Sequence, residues 1–534
     1  MESPTGSQAH RVKKCFILIS LWFCLLFSLV FKWKNHELGS LPPVWDSLAY
    51  QAEAMRIYRG LLAQDWTIVF APFSREQPIG FLLFHVIGLC LFGLKPVSFT
   101  LISGFFAFSW MLSFILLALV LGATWTTASA GVVLISIIPE FMYRNFWDTR
   151  NDYAMTAALM LSWMMFLKAR EGRGITAFWS GVLLALATSL KMTAVSYLFW
   201  GMIFCLVWFG VRRQLKNVFL LSIGFLLTWA PWGIFSVTHV LRYYGEWSKM
   251  GNWQASQYHL VTMWDWLLYY PKNWERVYLG SLPLILITIL LLIGVFRLKS
   301  IPKPTKEKLH LRQNLILTLI AAVGAILTLT LNHSLATLAD VPALSLAAAV
   351  FVVFMSKLIL EKYQIALLAL ILVTSALVLP KQIQAIPIQE VPRANLDTFL
   401  LFNQKLNSVI QQSHLESQPE YFVFSHPYLN PYTMLWTTIQ DFSVPLSMIP
   451  PPLDHYPVAN EVEQLFRKIE QLPLIIRIKE DPLTIPGAET FATLNRFHSK
   501  IDLLLDHSRN FKLIGSFEVD GFHFSVWKNI LTPG

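Results

Sequence analysis

The sequence predicts a polytopic α-helical membrane protein that ends in a polar α/β region. Three observations carry this. Of the 534 residues, 55% are hydrophobic and only 14% are charged, whereas a soluble domain is nearer one quarter charged. The mean hydropathy is +0.51. The apolar residues come in blocks of roughly 17–25, the length that crosses a bilayer, and these blocks stop near residue 380.

The first block, residues 15–31, follows Arg11, Lys13 and Lys14. No small-x-small cleavage site ends it, so an uncleaved first span is expected. Further apolar segments cover 79–94, 97–121, 124–143, 153–166, 176–190, 193–211, 218–240, 281–296, 314–331, 341–355 and 365–379. Twelve crossings would put Lys168, Arg170, Arg173, Arg212, Arg213, Lys216 and the basic loop from Arg297 to Arg312 outside. That inverts the positive-inside rule at every strong loop. If 79–94 lies in the interface instead, all these loops return to the cytoplasm. That segment would rise about 24 Å as a helix, against a core of ~30 Å. About eleven spans and one interfacial helix are therefore expected, with the N-terminus cytoplasmic.

The net charge of +10 sits mostly in these short loops and reads as a topology signal. No nucleic-acid motif accompanies it, and no nucleic-acid partner is expected. Cys15, Cys24, Cys90 and Cys205 all lie in apolar segments, as small buried hydrophobes without metal or disulfide spacing.

Two regions are expected at the outer face. The loop 241–280 carries Trp247, Trp253, Trp264, Trp266, Tyr269, Tyr270 and Trp274, either an aromatic interface belt or a flap that contacts lipid or sugar. The second is the polar region 381–534, which follows a membrane domain of residues 1–380. It alternates strand-like runs (421–425, 474–478, 512–519, 522–527) with helix-like ones (394–412, 460–471, 490–505). This suggests an extracytoplasmic α/β domain. It holds no Gly-rich nucleotide loop.

The same topology brings scattered polar residues to the outer side: Asp46, Glu76, Asp152 and Lys191. Ionisable residues at a membrane face are functional candidates by default. Asp46, Tyr50 and Glu53 recur at i, i+4 and i+7, one face of a helix. Asp46 is either that helix's cap or a reacting carboxylate. Arg75 precedes Glu76-Gln77-Pro78 and is either an interface anchor or a phosphate ligand through its planar fork. Arg150 and Asp152 share a short loop with Arg144 and Asp148, as an ion-pair cluster or as site residues. Lys191 closes the run that begins at Gly181 and either snorkels to the interface or points inward to an anion.

These residues, in this order, resemble a known family. The order is an Asp in the first outer loop, a Pro-led interfacial helix (Gln77-Pro78-Ile79-Gly80-Phe81-Leu82-Leu83-Phe84), Arg150-x-Asp152, and Leu186-x-x-x-Leu190-Lys191 closing a later span. It is similar to the GT-C membrane glycosyltransferases, most of all the protein O-mannosyltransferases and the lipid A aminoarabinose transferases, over residues 18–209. The resemblance implies a polyprenyl-phosphate sugar as donor, in contact with membrane lipid. The acceptor would be a hydroxyl or amine on a lipid, glycan or protein. Asp46 would be the general base of an inverting transfer, with Asp152 also catalytic. Arg75, Arg150 and Lys191 would hold the donor phosphate, and Glu76, Tyr50 and Glu53 would face the acceptor or a metal.

No cofactor is fixed by the sequence; Asp46, Glu76 and Asp152 have the oxygen chemistry for a hard divalent cation. The chain departs from the family at Gln77, where relatives often carry His or Lys, at Ser47, and at Asn332-His333-Ser334-Leu335-Ala336. A transporter or flippase of a lipid-linked or anionic substrate is the reading from another class.

Overall fold

The computed structural model describes residues 6–37, 46–74, 79–147, 150–170, 174–191, 194, 207, 214–235, 262, 264–265, 268–269, 272, 306–331, 341–384, 394–415, 418, 420–424, 426, 429, 435, 462–485, 495 and 497–531. The expected span 281–296, and nearly all of the expected span 193–211 and of the aromatic loop 241–280, lie outside them. Contacts divide the chain into two units: residues 1–34, 76–81 and 100–387, and residues 35–75, 82–99 and 388–534.

The protein is a multi-pass helical membrane protein. Among the described residues six helices are long and apolar enough to cross a bilayer, or seven if one bent pair is counted as a span. In chain order the helices are α1 (Gly6–Glu37), α2 (Asp46–Leu62), α3 (Trp66–Phe70), α4 (Ile79–Phe92), α5 (Pro96–Val120), α6 (Trp125–Ser136), α7 (Pro139–Met142), α8 (Asn151–Ala169) and α9 (Gly174–Leu190). There follow α10 (Leu215–Phe235), then α11 (Lys306–Leu331), α12 (Val341–Leu358), α13 (Glu361–Gln384), α14 (Ala394–Gln412), α15 (Val462–Ile469) and α16 (His498–His507). The segment read as one span over 124–143 is bent by 78° between α6 and the stretch Pro139–Phe146. Pro139 has no N–H to continue the ladder and its ring crowds the preceding turn. A π-helical turn, Tyr143–Trp147, follows.

Within the first unit, buried polar groups find partners on neighbouring helices, as a bilayer without water requires. The indole N–H groups of Trp22, Trp110 and Trp163 donate to Ser136 Oγ (2.9 Å), Ser345 Oγ (3.1 Å) and Thr318 Oγ1 (2.9 Å). Helices α9 and α10 cross where two glycines face each other's backbone. A Cβ on Gly181 would stand 2.0 Å from Leu221 O, and one on Gly224 2.2 Å from Phe178 O. Small residues of this kind let membrane helices approach closely.

The span ends fall into two sets. Thr124 and Thr126 donate to Gln364 Oε1 (2.5 and 3.0 Å), and Gln364 Nε2 donates to Ser356 O (3.0 Å). Arg170 bonds Asn314 (2.5 Å) and Gln313 (3.1 Å), and Asn217 bonds Ala169 O (3.1 Å). All of these are ends that the basic loops assign to one side. Asp152 and Lys191 belong to the opposite ends of α8 and α9.

In the second unit a four-stranded mixed sheet runs in the order β1-β2-β4-β3, from β1 (Glu420–Phe422), β2 (Leu474–Ile478), β3 (Phe511–Val519) and β4 (Phe522–Asn529). β1 and β2 are parallel and the other pairs antiparallel. Phe422, Ile476 and Val526 pack with Phe402 and Leu406 of α14 on one face. Tyr421 and Ile475 pack with Ile469 of α15 and Ile501 and Leu505 of α16 on the other. Arg477 of β2 binds Asp502 and Asp506 (2.8 Å each) and so ties α16 to the sheet.

Glu420, the first residue of β1, is buried, and its Oε2 has no partner among the described residues. Burial pushes its carboxyl up to about 8. The raised value means the folded state keeps a proton that the unfolded chain has lost. Below the ordinary value near 4.5 this stabilisation is complete, and it is lost as pH rises to about 8. Wild-type protection of β1 and β2 in hydrogen–deuterium exchange, corrected for intrinsic rates, should therefore fall by about 1.4 kcal/mol per pH unit in that window. Glu420→Gln should remove the slope. Parallel profiles for the two proteins would contradict the assignment.

Candidate functional site

The described core of the candidate site is the end of an antiparallel helix pair that lies away from its connection. Only four residues, 170–173, separate α8 from α9 in the chain, which makes the pair a hairpin. Such a hairpin sets residues of nearly constant summed number opposite each other. Midway, Ser162 Oγ donates to Ser180 O (2.8 Å) and Ser180 Oγ donates to Ser162 O (2.9 Å). At the far end Asn151 Nδ2 donates to Leu190 O (3.0 Å). One residue on, the Lys191 ammonium pairs with the Asp152 carboxylate.

Asp152 lies in the first turn of α8, where the helix dipole favours a negative charge, and it is 1% exposed. Lys191 follows the last turn of α9, its N–H bonded to Ala187 O (2.9 Å). Its side chain is 22% exposed against 2% for that of Asp152. A buried carboxylate of this kind needs its partner: an uncompensated charge there costs several kcal/mol.

Two further features involve neighbours of this pair in the chain. The start of α4 abuts the end of α9: a Cβ on Gly80 would fall 2.2 Å from Ser189 Oγ. Only glycine allows that approach. Behind Asp152, Tyr153 meets Trp110 and Phe141 edge-on, with ring centroids 5.9 and 5.0 Å apart. Arg150 sits at the N-cap position of α8, its N–H bonded to Arg144 O (3.3 Å). Arg144 Nε in turn donates to Glu140 Oε1 (2.6 Å).

The other expected residues are distributed as follows. Asp46 is the first residue of α2, and because α2 is helical throughout, Tyr50 and Glu53 share its face. Glu53 is 2% exposed, and Tyr50 packs against a cluster of Leu48, Met55 and Val86. The side chain of Asp46, and Arg75 and Glu76 altogether, lie outside the described residues. Among the described residues no group of three or more His, Cys, Asp or Glu is arranged to hold a metal ion. Of the three carboxylates named for a cation, Asp152 is already engaged by Lys191.

Sequence reading picked Asp152 and Lys191 separately and missed that they pair, although the short Gly-containing turn between two apolar segments contained the register. It missed Glu140, buried inside an apolar segment.

No family model matches the chain, and no curated protein does. Among solved structures it is similar to ArnT from Cupriavidus metallidurans bound to undecaprenyl phosphate, at 12% identity over 98% of each chain with a TM-score of 0.47. It is also similar to the apo state of ArnT from the same organism, at 12% identity over 98% of each chain with a TM-score of 0.37.

Removing one member of the buried pair should expose its cost. Lys191→Gln alone should destabilise the detergent-solubilised protein by about 3–5 kcal/mol in denaturant unfolding. The double variant Asp152→Asn/Lys191→Gln should recover most of that loss, a coupling that a double-mutant cycle isolates. A single variant within about 0.5 kcal/mol of wild type would contradict the pairing.

Proposed function

We propose that this chain is a membrane glycosyltransferase of the GT-C type. It moves a hexosyl or pentosyl unit from a polyprenyl-phosphate donor to a hydroxyl or amine at the outer membrane face. The observation that carries this reading is the Asp152–Lys191 pair. A partly exposed cation fixed at a helix end by a buried carboxylate is the electrostatic device a leaving phosphate needs.

In the proposed reaction the acceptor oxygen or nitrogen attacks the anomeric carbon while Asp46 takes its proton. The bond from that carbon to the phosphate oxygen breaks, and the polyprenyl phosphate leaves with the electron pair. Configuration inverts and no covalent enzyme intermediate forms. Lys191, with Arg75 and Arg150, receives the developing phosphate charge. Asp152 acts through Lys191, fixing its ammonium, while Tyr50, Glu53 and Glu76 face the acceptor. The membrane domain, residues 1–380, would carry all of these groups, and the region 381–534 would stand outside the membrane.

A transporter or flippase is the second reading, and the 78° break between α6 and α7 favours it, since transporters build sites on discontinuous helices. The Glu140–Arg144 pair beside that break would then be the substrate contact.

Sugar transfer in proteoliposomes separates the two. With a panel of labelled polyprenyl-phosphate monosaccharides and an envelope acceptor extract, wild type should move label to acceptor. Asp46→Asn should lose 10²- to 10⁴-fold, roughly 3–5 kcal/mol of barrier. Lipid-linked label that crosses the bilayer without chemical transfer would favour the transporter, and equal rates in both proteins would remove Asp46 as the base.

A further inference from the structure

The chain bends by 78° between α6 and the stretch Pro139–Phe146, and the bend passes into the π-helical turn Tyr143–Trp147. Single π turns inside helices recur at functional sites. This one is fastened by three bonds. Glu140, buried in α7, accepts from Arg144 Nε (2.6 Å). Asn145, also buried, donates from Nδ2 to Phe141 O (2.8 Å). Arg144 O accepts from the N–H of Arg150 (3.3 Å). Arg144 is thus held at both ends, its guanidinium by a carboxylate and its carbonyl by the residue at the N-cap of α8. The guanidinium also lies over the Tyr143 ring, 4.9 Å from its centroid.

Arg150 passes this placement on. Its backbone is extended, with φ −83° and ψ 146°. The two residues after it set α8 against α9: Asn151 Nδ2 donates to Leu190 O (3.0 Å), and the Asp152 carboxylate pairs with Lys191. Side chains follow the same route. Phe141 of α7 packs on Trp110 and on Tyr153 of α8, with ring centroids 5.1 and 5.0 Å apart. A shift of Arg144 therefore reaches Arg150 through one hydrogen bond and Asp152 two residues later. Stability alone does not ask for an ion pair here, because well-packed apolar residues of similar volume often serve a buried place as well or better. What an apolar pair lacks is direction, which a charge-assisted hydrogen bond supplies.

We propose that Glu140 is a positioning residue: through Arg144 it sets where Arg150 and Asp152 stand, and so where the cations of the site meet the donor phosphate. This rests on the transferase reading. In this role Glu140 touches neither donor nor acceptor.

The sign of one effect tests it, on the full chain in proteoliposomes with a labelled polyprenyl-phosphate sugar. Glu140→Gln removes a negative charge beside an anion site. If Glu140 acted on the phosphate only through its field, the KM for the donor would fall. Positioning predicts a KM raised roughly 10-fold, inside the 10²-fold that a 1 Å misplacement can cost, with a smaller change in kcat, the pattern of lost uniform binding. Glu140→Asp, which keeps the charge and can re-form the bond, should recover most of it. A KM in Glu140→Gln at or below that of wild type would overturn the proposal. Hydrogen–deuterium exchange gives a readout independent of the chemistry: the peptide spanning Arg150 should exchange faster in Glu140→Gln and slow again in Glu140→Asp. Should Glu140→Gln fail to fold, the pair Glu140→Gln/Arg144→Gln, which leaves no unpaired buried charge, carries both readouts. A wild type that transfers no sugar fails the transferase reading instead; exchange then decides the tie alone, and unchanged rates across Arg150 would overturn it.

Discussion

A bilayer offers no water to a polar group, and much of this bundle is arranged by that constraint. Indoles from α1, α5 and α8 each donate to a hydroxyl on another helix, and threonines at the start of α6 share the amide of Gln364. These are closed arrangements, with donor and acceptor both inside the protein. The Asp152–Lys191 pair obeys the same rule at higher stakes, because a carboxylate desolvated alone is far more costly than a hydroxyl. It differs in one respect: the lysine side chain is partly exposed. In the proposed reaction, a charge that the fold must hold for its own stability also meets the donor's phosphate.

Much of the architecture was legible in the sequence. The helix expected at 394–412 is α14, and the strand expected at 474–478 is β2. The hairpin between β3 and β4 turns on Asp520-Gly521, both at positive φ, as a two-residue Asp-Gly loop does. The segment expected as a short helix at 79–94 forms one of 14 residues. Local chemistry decides each of these features, through periodicity, turn residues or length.

What was not legible depends on tertiary register or on a break inside a uniform pattern. Asp152 and Lys191 are 39 residues apart, and only the antiparallel packing of α8 on α9 makes them partners. The span read through 124–143 hides a bend, because Pro139 and Glu140 sit among residues apolar enough to mask them. Gly80 looked like one more small residue of an apolar helix, and its role appears only once Ser189 stands against it. The face that Asp46, Tyr50 and Glu53 share was readable from spacing, because α2 is an unbroken helix from its first residue.

The central claim is that Lys191, oriented by Asp152, receives a phosphate. Affinity of the purified protein for polyprenyl phosphate tests it most directly, with wild type, Lys191→Arg and the charge-neutral pair Asp152→Asn/Lys191→Gln compared in nanodiscs. The neutral pair leaves no unpaired buried charge, so a loss of binding reports the missing cation. The account expects binding weakened roughly 10- to 100-fold in the neutral pair, the worth of one charge-assisted contact, and largely kept in Lys191→Arg. Undiminished affinity in the neutral pair would contradict it.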